Sequence, residues 1–112
     1  MNVILGLAQV KVEAMLLLPA TLTAIEASAT QRMLVQALKN APDGIVTVDA
    51  SQLKHFDSAA LAVLIECRRL TNIGSRSFHV HGMPPKLLAL ATLYGVNGLL
   101  IESNDFLAMR KL

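Results

Sequence analysis

The chain has 112 residues, enough for one hydrophobic core, and we predict a single domain over residues 1–112. Apolar residues make up 54% of the chain and charged residues 16%, which indicates a largely buried sheet or a surface that a partner covers. The net charge of +2 comes from scattered basic residues, and tryptophan is absent, so the composition argues against nucleic-acid binding.

The N-terminal segment 1–24 is apolar enough to be compared with a secretory signal. It has no basic region at its start, and Lys11 and Glu13 interrupt the apolar run. No stretch reaches the ~18 uninterrupted apolar residues of a spanning helix. Cys67 is the only cysteine and cannot build a disulfide framework, so we expect a buried thiol in a cytoplasmic protein.

The first elements of the chain are predicted to be strands. Segment 3–14 ends in alternating polar and apolar residues, which is typical of a half-buried strand. Segment 15–18 is a short apolar run that predicts a second strand. Pro19 ends this strand because proline has no N–H to donate.

A helix is predicted next. Thr23 and Glu26 have the spacing of a capping box at its start, and a turn at 42–44 follows its end. The apolar residues at helical spacing, which predict its buried face, are Ile25, Ala29, Met33 and Ala37, with Leu34 and Leu38 beside them.

The remaining elements continue the alternation of strand and helix. Segment 44–50 is rich in β-branched residues and predicts a strand that ends at Asp49. A second helix is predicted over 58–71 and a strand over 75–83. A third helix starts at the proline pair 84–85 and stops near Gly95. A last strand at 101–103 and a short helix at 105–112 complete the sequence prediction.

The predicted order is ββαβαβαβα. Strands that alternate with helices require crossover connections, which place helices against a sheet with several parallel pairs. The sequence therefore predicts an α/β fold with a mixed sheet of four to five strands and about four helices. No glycine-rich dinucleotide or phosphate-binding motif occurs, and we predict no cofactor.

Asp57 and Ser58 stand at the start of the second predicted helix. In a structural interpretation, one of them accepts a hydrogen bond from a free N–H of the first turn, worth ~1 kcal/mol. In a functional interpretation, the hydroxyl faces a partner, and a phosphate on it would meet free N–H groups while adding negative charge beside Asp57. The small residues that would let a partner approach closely are Ala59, Ala60 and Ala62.

Other candidate sites have less support in the sequence. His79 and His81 share one strand face but have no third ligand nearby, so we predict no metal site. A hydrolase triad of Ser58, His55 and Asp49 would lack the G-x-S-x-G turn that exposes a nucleophilic serine. The sequence places no two carboxylates close enough together to suggest acid–base catalysis. We therefore predict a protein without enzymatic activity.

Tyr94 is the only tyrosine and is flanked by leucines and a valine. Its ring could pack beneath the edge of the sheet, where an aromatic side chain stabilises a core. It could equally be an exposed anchor at a protein interface, where tyrosine is favoured. The sequence leaves both interpretations open.

Three stretches together resemble the STAS domain, the module of anti-sigma-factor antagonists: GIVTVDASQL, FDSAALAVLIECRRL and SFHVHGMPPKLLALATLYGVNGLL. The resemblance spans about residues 14–101. The upstream PATLT looks like the family's short loop after the second strand, with Thr23 where many members carry Asp or Thr. Asp49 matches the family's acid at the end of the preceding strand. Ser58 matches the hydroxyl residue that a partner kinase phosphorylates in the antagonists, and phosphorylation there blocks partner binding.

The transporter-associated branch of the STAS family is the closer resemblance. PATLT and KLLALATLYGVNGLL are similar to the small cytoplasmic subunit of Mla-type ABC transporters, which move phospholipids between bacterial membranes. This resemblance implies a non-catalytic module that binds and stabilises the ATPase subunit and reaches the inner membrane only through it. The interface residues it implies are Thr23, Asp57, Ser58, Ala59, Ala60, Ala62 and Tyr94.

An alternative function is that of an anti-sigma-factor antagonist regulated by phosphorylation at Ser58, with a kinase-type anti-sigma factor as partner. The high apolar fraction also makes us expect that the isolated domain can form a homodimer.

Overall fold

The structure is a computed structural model that describes residues 12–41, 44–73 and 76–100. Within these ranges the elements are β1 (Val12–Leu17), β2 (Thr21–Leu22), α1 (Ala27–Asn40), β3 (Gly44–Asp49), β4 (His55–Phe56), α2 (Ala59–Ile73), β5 (Ser77–His81), α3 (Pro85–Leu93) and α4 (Asn97–Leu100). The α/β class predicted from the sequence is confirmed.

Every strand pair in the described residues is parallel. β3 lies in the centre of a three-stranded sheet between β1 and β5, while β2 and β4 form a separate pair two residues long. Parallel neighbours need crossover connections, and α1 and α2 supply them between β1, β3 and β5. Side chains alternate along β3, so Val46 and Val48 are fully buried while their neighbours are half-buried.

The core lies under α2, which packs against α1, β5 and α4. Helix α2 contributes a continuous buried face because its apolar residues recur every three to four positions. The core residues that it contributes are Ala60, Leu61, Val63, Leu64 and Cys67. Since so many core side chains project from one helix, the position of α2 is fixed on several sides.

Helix α1 buries only part of the apolar set that its sequence pattern singled out. Leu34 and Leu38 are each 3% exposed, whereas Ile25 and Met33 are 88% and 62% exposed. The pattern is misleading for Ile25 and Met33 but not for Leu34 and Leu38, because both stripes have helical spacing. Ile25 also lies in the turn before α1, which begins only at Ala27, so it does not belong to the helix face.

The N-terminal strand boundary is also corrected. The chain passes through Ala14 and Met15 as one strand, β1, so the predicted break between two strands at this point is wrong. A change from alternating to continuous apolar residues does not require a break, because a single strand can expose one face and half-bury the other. Residues 3–11, the strand predicted at 101–103 and the helix predicted at 105–112 lie outside the described residues.

The strands of the main sheet end at one edge, where the loops that lead into the helices begin. Leu17, Asp49 and His81 are the register partners that close β1, β3 and β5 at this edge. Open parallel sheets carry their functional residues outside the carboxyl ends of the strands. Thr23, Asp57 and Ser58 all belong to loops that leave this edge. None of the helices described is both long and apolar enough to cross a membrane.

Candidate functional site

Asp57 joins two segments of the chain at the carboxyl edge of the sheet. Its Oδ1 accepts a hydrogen bond from the N–H of Ala59 at 2.8 Å, at the start of α2. Its Oδ2 accepts one from the N–H of Ala24 at 3.1 Å, in the turn before α1. Asp57 rather than Ser58 therefore caps α2 through its side chain. The same carboxylate fixes the starts of α1 and α2 relative to each other.

Ser58 is exposed, and within the described ranges its hydroxyl takes part in no hydrogen bond. Only its backbone carbonyl is used, accepting hydrogen bonds from the N–H groups of Leu61 at 3.1 Å and Ala62 at 3.3 Å. The fold therefore does not depend on the Ser58 hydroxyl, and another molecule can reach it.

The backbone amides at the start of α2 are already occupied. Asp57 takes the N–H of Ala59 with its carboxylate and that of Ala60 with its carbonyl, and Ser58 takes the N–H of Leu61. The expectation that a phosphate on Ser58 would face free N–H groups is therefore wrong for these amides. A phosphate would instead stand next to the Asp57 carboxylate, and the two negative charges would repel each other.

The capping box predicted at Thr23 and Glu26 forms in the turn that precedes α1. The Thr23 N–H and hydroxyl both donate to Glu26 Oε1, at 2.8 and 2.6 Å, and the Ile25 N–H donates to Thr23 Oγ1 at 3.2 Å. The hydrogen bonds from Thr23 lower the pKa of Glu26, against the smaller opposing effects of desolvation and of the Asp57 charge. Together with the bond from Ala24 to Asp57, these contacts hold the turn in one conformation.

Ile25 is the most exposed large apolar side chain of the described chain. It lies in the turn that Asp57 and the capping box hold in place, so a partner would meet an apolar group whose backbone is already ordered. The sequence pattern does not single it out, because Ile25 has the same helical spacing as apolar residues of α1. The capping box was the available signal, because its flanking positions, Leu22 and Ala27, both join the core and leave Ile25 outside.

The structure brings most of the predicted interface residues to the surface, with one correction. Ala60 is 0% exposed because it lies one turn before Leu64 on the buried face of α2, so its side chain cannot contact a partner. Tyr94 is 58% exposed at the end of α3, which decides between the two interpretations of this residue in favour of exposure. Of the others, Asp57, Ser58 and Ala62 are exposed, while Thr23 and Ala59 are half-buried.

Asp49 stabilises the loop that leads towards Ser58 rather than facing Ser58 itself. Its Oδ1 accepts a hydrogen bond from the Ser51 N–H at 2.9 Å. Hydrogen bonds from Ser51 lower the pKa of Asp49, with a smaller contribution from His81, its neighbour on β5. Gly82 packs against this loop at φ +68°, and a Cβ added there would lie 2.7 Å from the Ser51 Cβ. Only glycine fits this contact without strain.

The described residues assemble neither a triad nor a metal site. Asp49 is bound to Ser51, and no hydrogen bond joins Ser58 to His55 in this part of the chain. No three His, Cys, Asp or Glu residues of the described ranges are grouped to hold a metal ion. Burial raises the pKa of the Cys67 thiol to about 12, so Cys67 is protonated and unreactive at neutral pH.

The parallel sheet, the exposed hydroxyl at the start of α2 and the ordered turn beside it define a STAS-type domain. The family model described as MlaB, STAS domain, matches residues 5–102, which is most of the chain. No curated protein matches at a significant level. The chain belongs to the MlaB-like STAS family, and the resemblance found in its sequence is confirmed. STAS domains are generally non-catalytic interaction modules.

Proposed function

We propose that this chain is a non-enzymatic STAS subunit that binds and stabilises the ATPase of an Mla-type phospholipid-transport ABC system. The observation that carries the proposal is the exposed hydroxyl of Ser58, which makes no hydrogen bond to any described residue, on a surface that Asp57 holds in place in a chain that matches the MlaB family model. The subunit would work in the cytoplasm and reach the inner membrane only through the ATPase.

The proposed docking surface has small residues beside the Asp57 carboxylate and an apolar margin. Ser58, just before α2, and Ala62, in its first turn, are both exposed, and their small side chains let a partner backbone come close. Ile25 extends the surface into the turn beside α2 and supplies apolar area that a partner can bury. Because Asp57 and the capping box already order this surface, docking costs little conformational entropy.

The test is capture of the ATPase from the native cell with the tagged chain, followed by mass spectrometry and binding measurements on the purified pair. We expect Ser58→Asp to weaken binding because it adds a charge next to Asp57. We expect Ser58→Ala, the matched control, to bind like the unmodified chain. Both variants should melt within a few degrees of it, since the hydroxyl makes no hydrogen bond in the described chain.

The proposal fails if the folded chain captures no ABC ATPase, or if Ser58→Asp binds the ATPase as tightly as Ser58→Ala does. The second result would place Ser58 outside the interface. An ATPase that loses activity or solubility without the chain, and regains it on addition of the chain, would support the stabilising role.

The second candidate function is that of an anti-sigma-factor antagonist, which the accessibility of the Ser58 hydroxyl also favours. In that case the same capture would recover a kinase-type anti-sigma factor, and part of the chain would carry phosphate on Ser58. Recovery of an ATPase with unmodified Ser58 would argue against it.

A further inference from the structure

A groove of about 670 Å³ lies between β4 and α3, next to the proposed docking surface. Phe56 and Thr23 lie on the strand side, and Thr23 also belongs to the ordered turn, so the groove continues the docking surface. On the helix side the lining residues are Lys86, Ala89, Leu90 and Leu93. Their spacing of three, four and seven positions forms one stripe along two turns of α3.

The wall formed by α3 is apolar for most of its length. Leu90 is half-buried and packs against the core, so it fixes the depth of the groove. Leu93 is 75% exposed at the far end of the stripe and is available to an occupant. Two turns of helix are about 10 Å long, which matches a short segment of a partner helix packed against α3.

The charge of the groove is positive and is not neutralised within the described chain. Lys54 and Lys86 are exposed on its opposite walls, and neither forms an ion pair with a described acid. None of the described residues that line the groove is acidic. The carboxylates of Asp57 and Glu26 lie beside the groove but do not line it, and each is held in place by hydrogen bonds from backbone N–H groups.

We propose that this groove receives an amphipathic helix of the protein partner that carries Asp or Glu residues beside its apolar face. The carboxylates lie near Lys54 and Lys86, and the apolar side chains cover Phe56 and Leu93. The inference rests on the proposed docking function and adds the chemistry of the partner segment. Opposite charges at the margin of an interface speed association and select among partners, which an exposed apolar groove alone does not do.

The first experiment identifies the segment by crosslinking. The photoreactive residue p-benzoylphenylalanine replaces Leu93 in the full chain, the native cell is irradiated, and the crosslinked peptide is sequenced. We expect a segment with apolar residues at helical spacing and acidic residues flanking them. The matched control is the same replacement at Ile73, which is 72% exposed at the opposite end of α2 and should not capture this segment.

The second experiment tests the charges with the captured partner. We expect Lys54→Glu combined with Lys86→Glu to weaken binding at least about tenfold, which corresponds to about 1.4 kcal/mol. Lys39→Glu on α1 is the control and should change affinity less than about twofold. Binding of the unmodified chain should weaken as NaCl rises from about 0.05 M to about 0.5 M, and the double variant should lose most of that salt dependence.

The outcomes separate this inference from the proposed function. An acidic helix from a protein other than an ABC ATPase, with the expected loss on charge reversal, would support the groove and refute the transporter role. An ATPase whose binding depends on Ser58 but not on the two lysines would overturn the inference and leave the docking proposal intact. A crosslink to a basic segment, to a lipid, to a second copy of the chain or to nothing would also overturn the inference.

Discussion

Asp57 and Ser58 are adjacent, yet the structure gives them opposite roles in stability, and a pair of alanine variants tests this directly. Asp57→Ala removes the side-chain acceptor of the Ala59 N–H, a loss of about 0.5–2 kcal/mol for a helix cap. It also removes the acceptor of the Ala24 N–H, which is exposed, so water replaces it and the further loss is about 0.5 kcal/mol. The expected total is about 1–2.5 kcal/mol.

A loss of this size lowers Tm by roughly 4–11 °C in a domain of this length. Ser58→Ala removes no hydrogen bond of the described chain and should change the free energy of unfolding by less than about 0.5 kcal/mol. Asp57→Asn keeps an oxygen that can accept one of the two hydrogen bonds and should fall between these variants. Urea unfolding followed by far-UV circular dichroism measures all three.

Our assignment of the cap would be refuted if Ser58→Ala lost as much stability as Asp57→Ala. It would also be refuted if the Asp57→Ala variant had the same Tm as the unmodified chain. A third variant that combines both alanines adds a check, because its loss should equal that of Asp57→Ala alone when the Ser58 hydroxyl contributes nothing.

Three further predictions concern the core and the edge loop. Leu34→Ala should cost about 2–5 kcal/mol because Leu34 is buried, while Met33→Ala on the exposed face of the same helix should cost less than about 0.5 kcal/mol, and equal losses in urea unfolding would contradict the assigned face of α1. Gly82→Ala should cost about 1–3 kcal/mol, because the positive φ of Gly82 and its contact with Ser51, in the loop after β3, both oppose a Cβ. An unchanged Tm would contradict this. Cys67 should resist iodoacetamide at about pH 8 until the chain is denatured, since burial raises its pKa to about 12, and rapid labelling of the native protein would show an accessible thiol.

The sequence predicted the larger elements because their patterns are long. The strand at 44–50 and the helices that became α2 and α3 were placed within two residues of their observed bounds, since β-branched runs and helical spacing leave little choice over such lengths. Strands β2 and β4 were not predicted because two residues have no periodicity. They exist only because distant parts of the chain pair with each other.

The docking surface and the groove were only partly predictable for the same reason. The sequence placed Ser58 at a helix start, but either Ser58 or Asp57 could have supplied the cap, and only the three-dimensional structure separates them. Two stripes of equal spacing on α1 left its buried face ambiguous, and this hid Ile25. Lys54 and Lys86 are distant in sequence, so a search for local charge clusters could not pair them.

The shared carboxylate of Asp57 has a consequence for any covalent change at its neighbour. A dianionic group on Ser58 would push this carboxylate away, and one rotation of the Asp57 side chain would release the amides of Ala24 and Ala59 together. The turn that presents Ile25 would then lose its tie to the start of α2, where a second negative charge would stand beside Asp57. One modification would thus change both the relative position of the two docking segments and the charge between them, without touching the buried core.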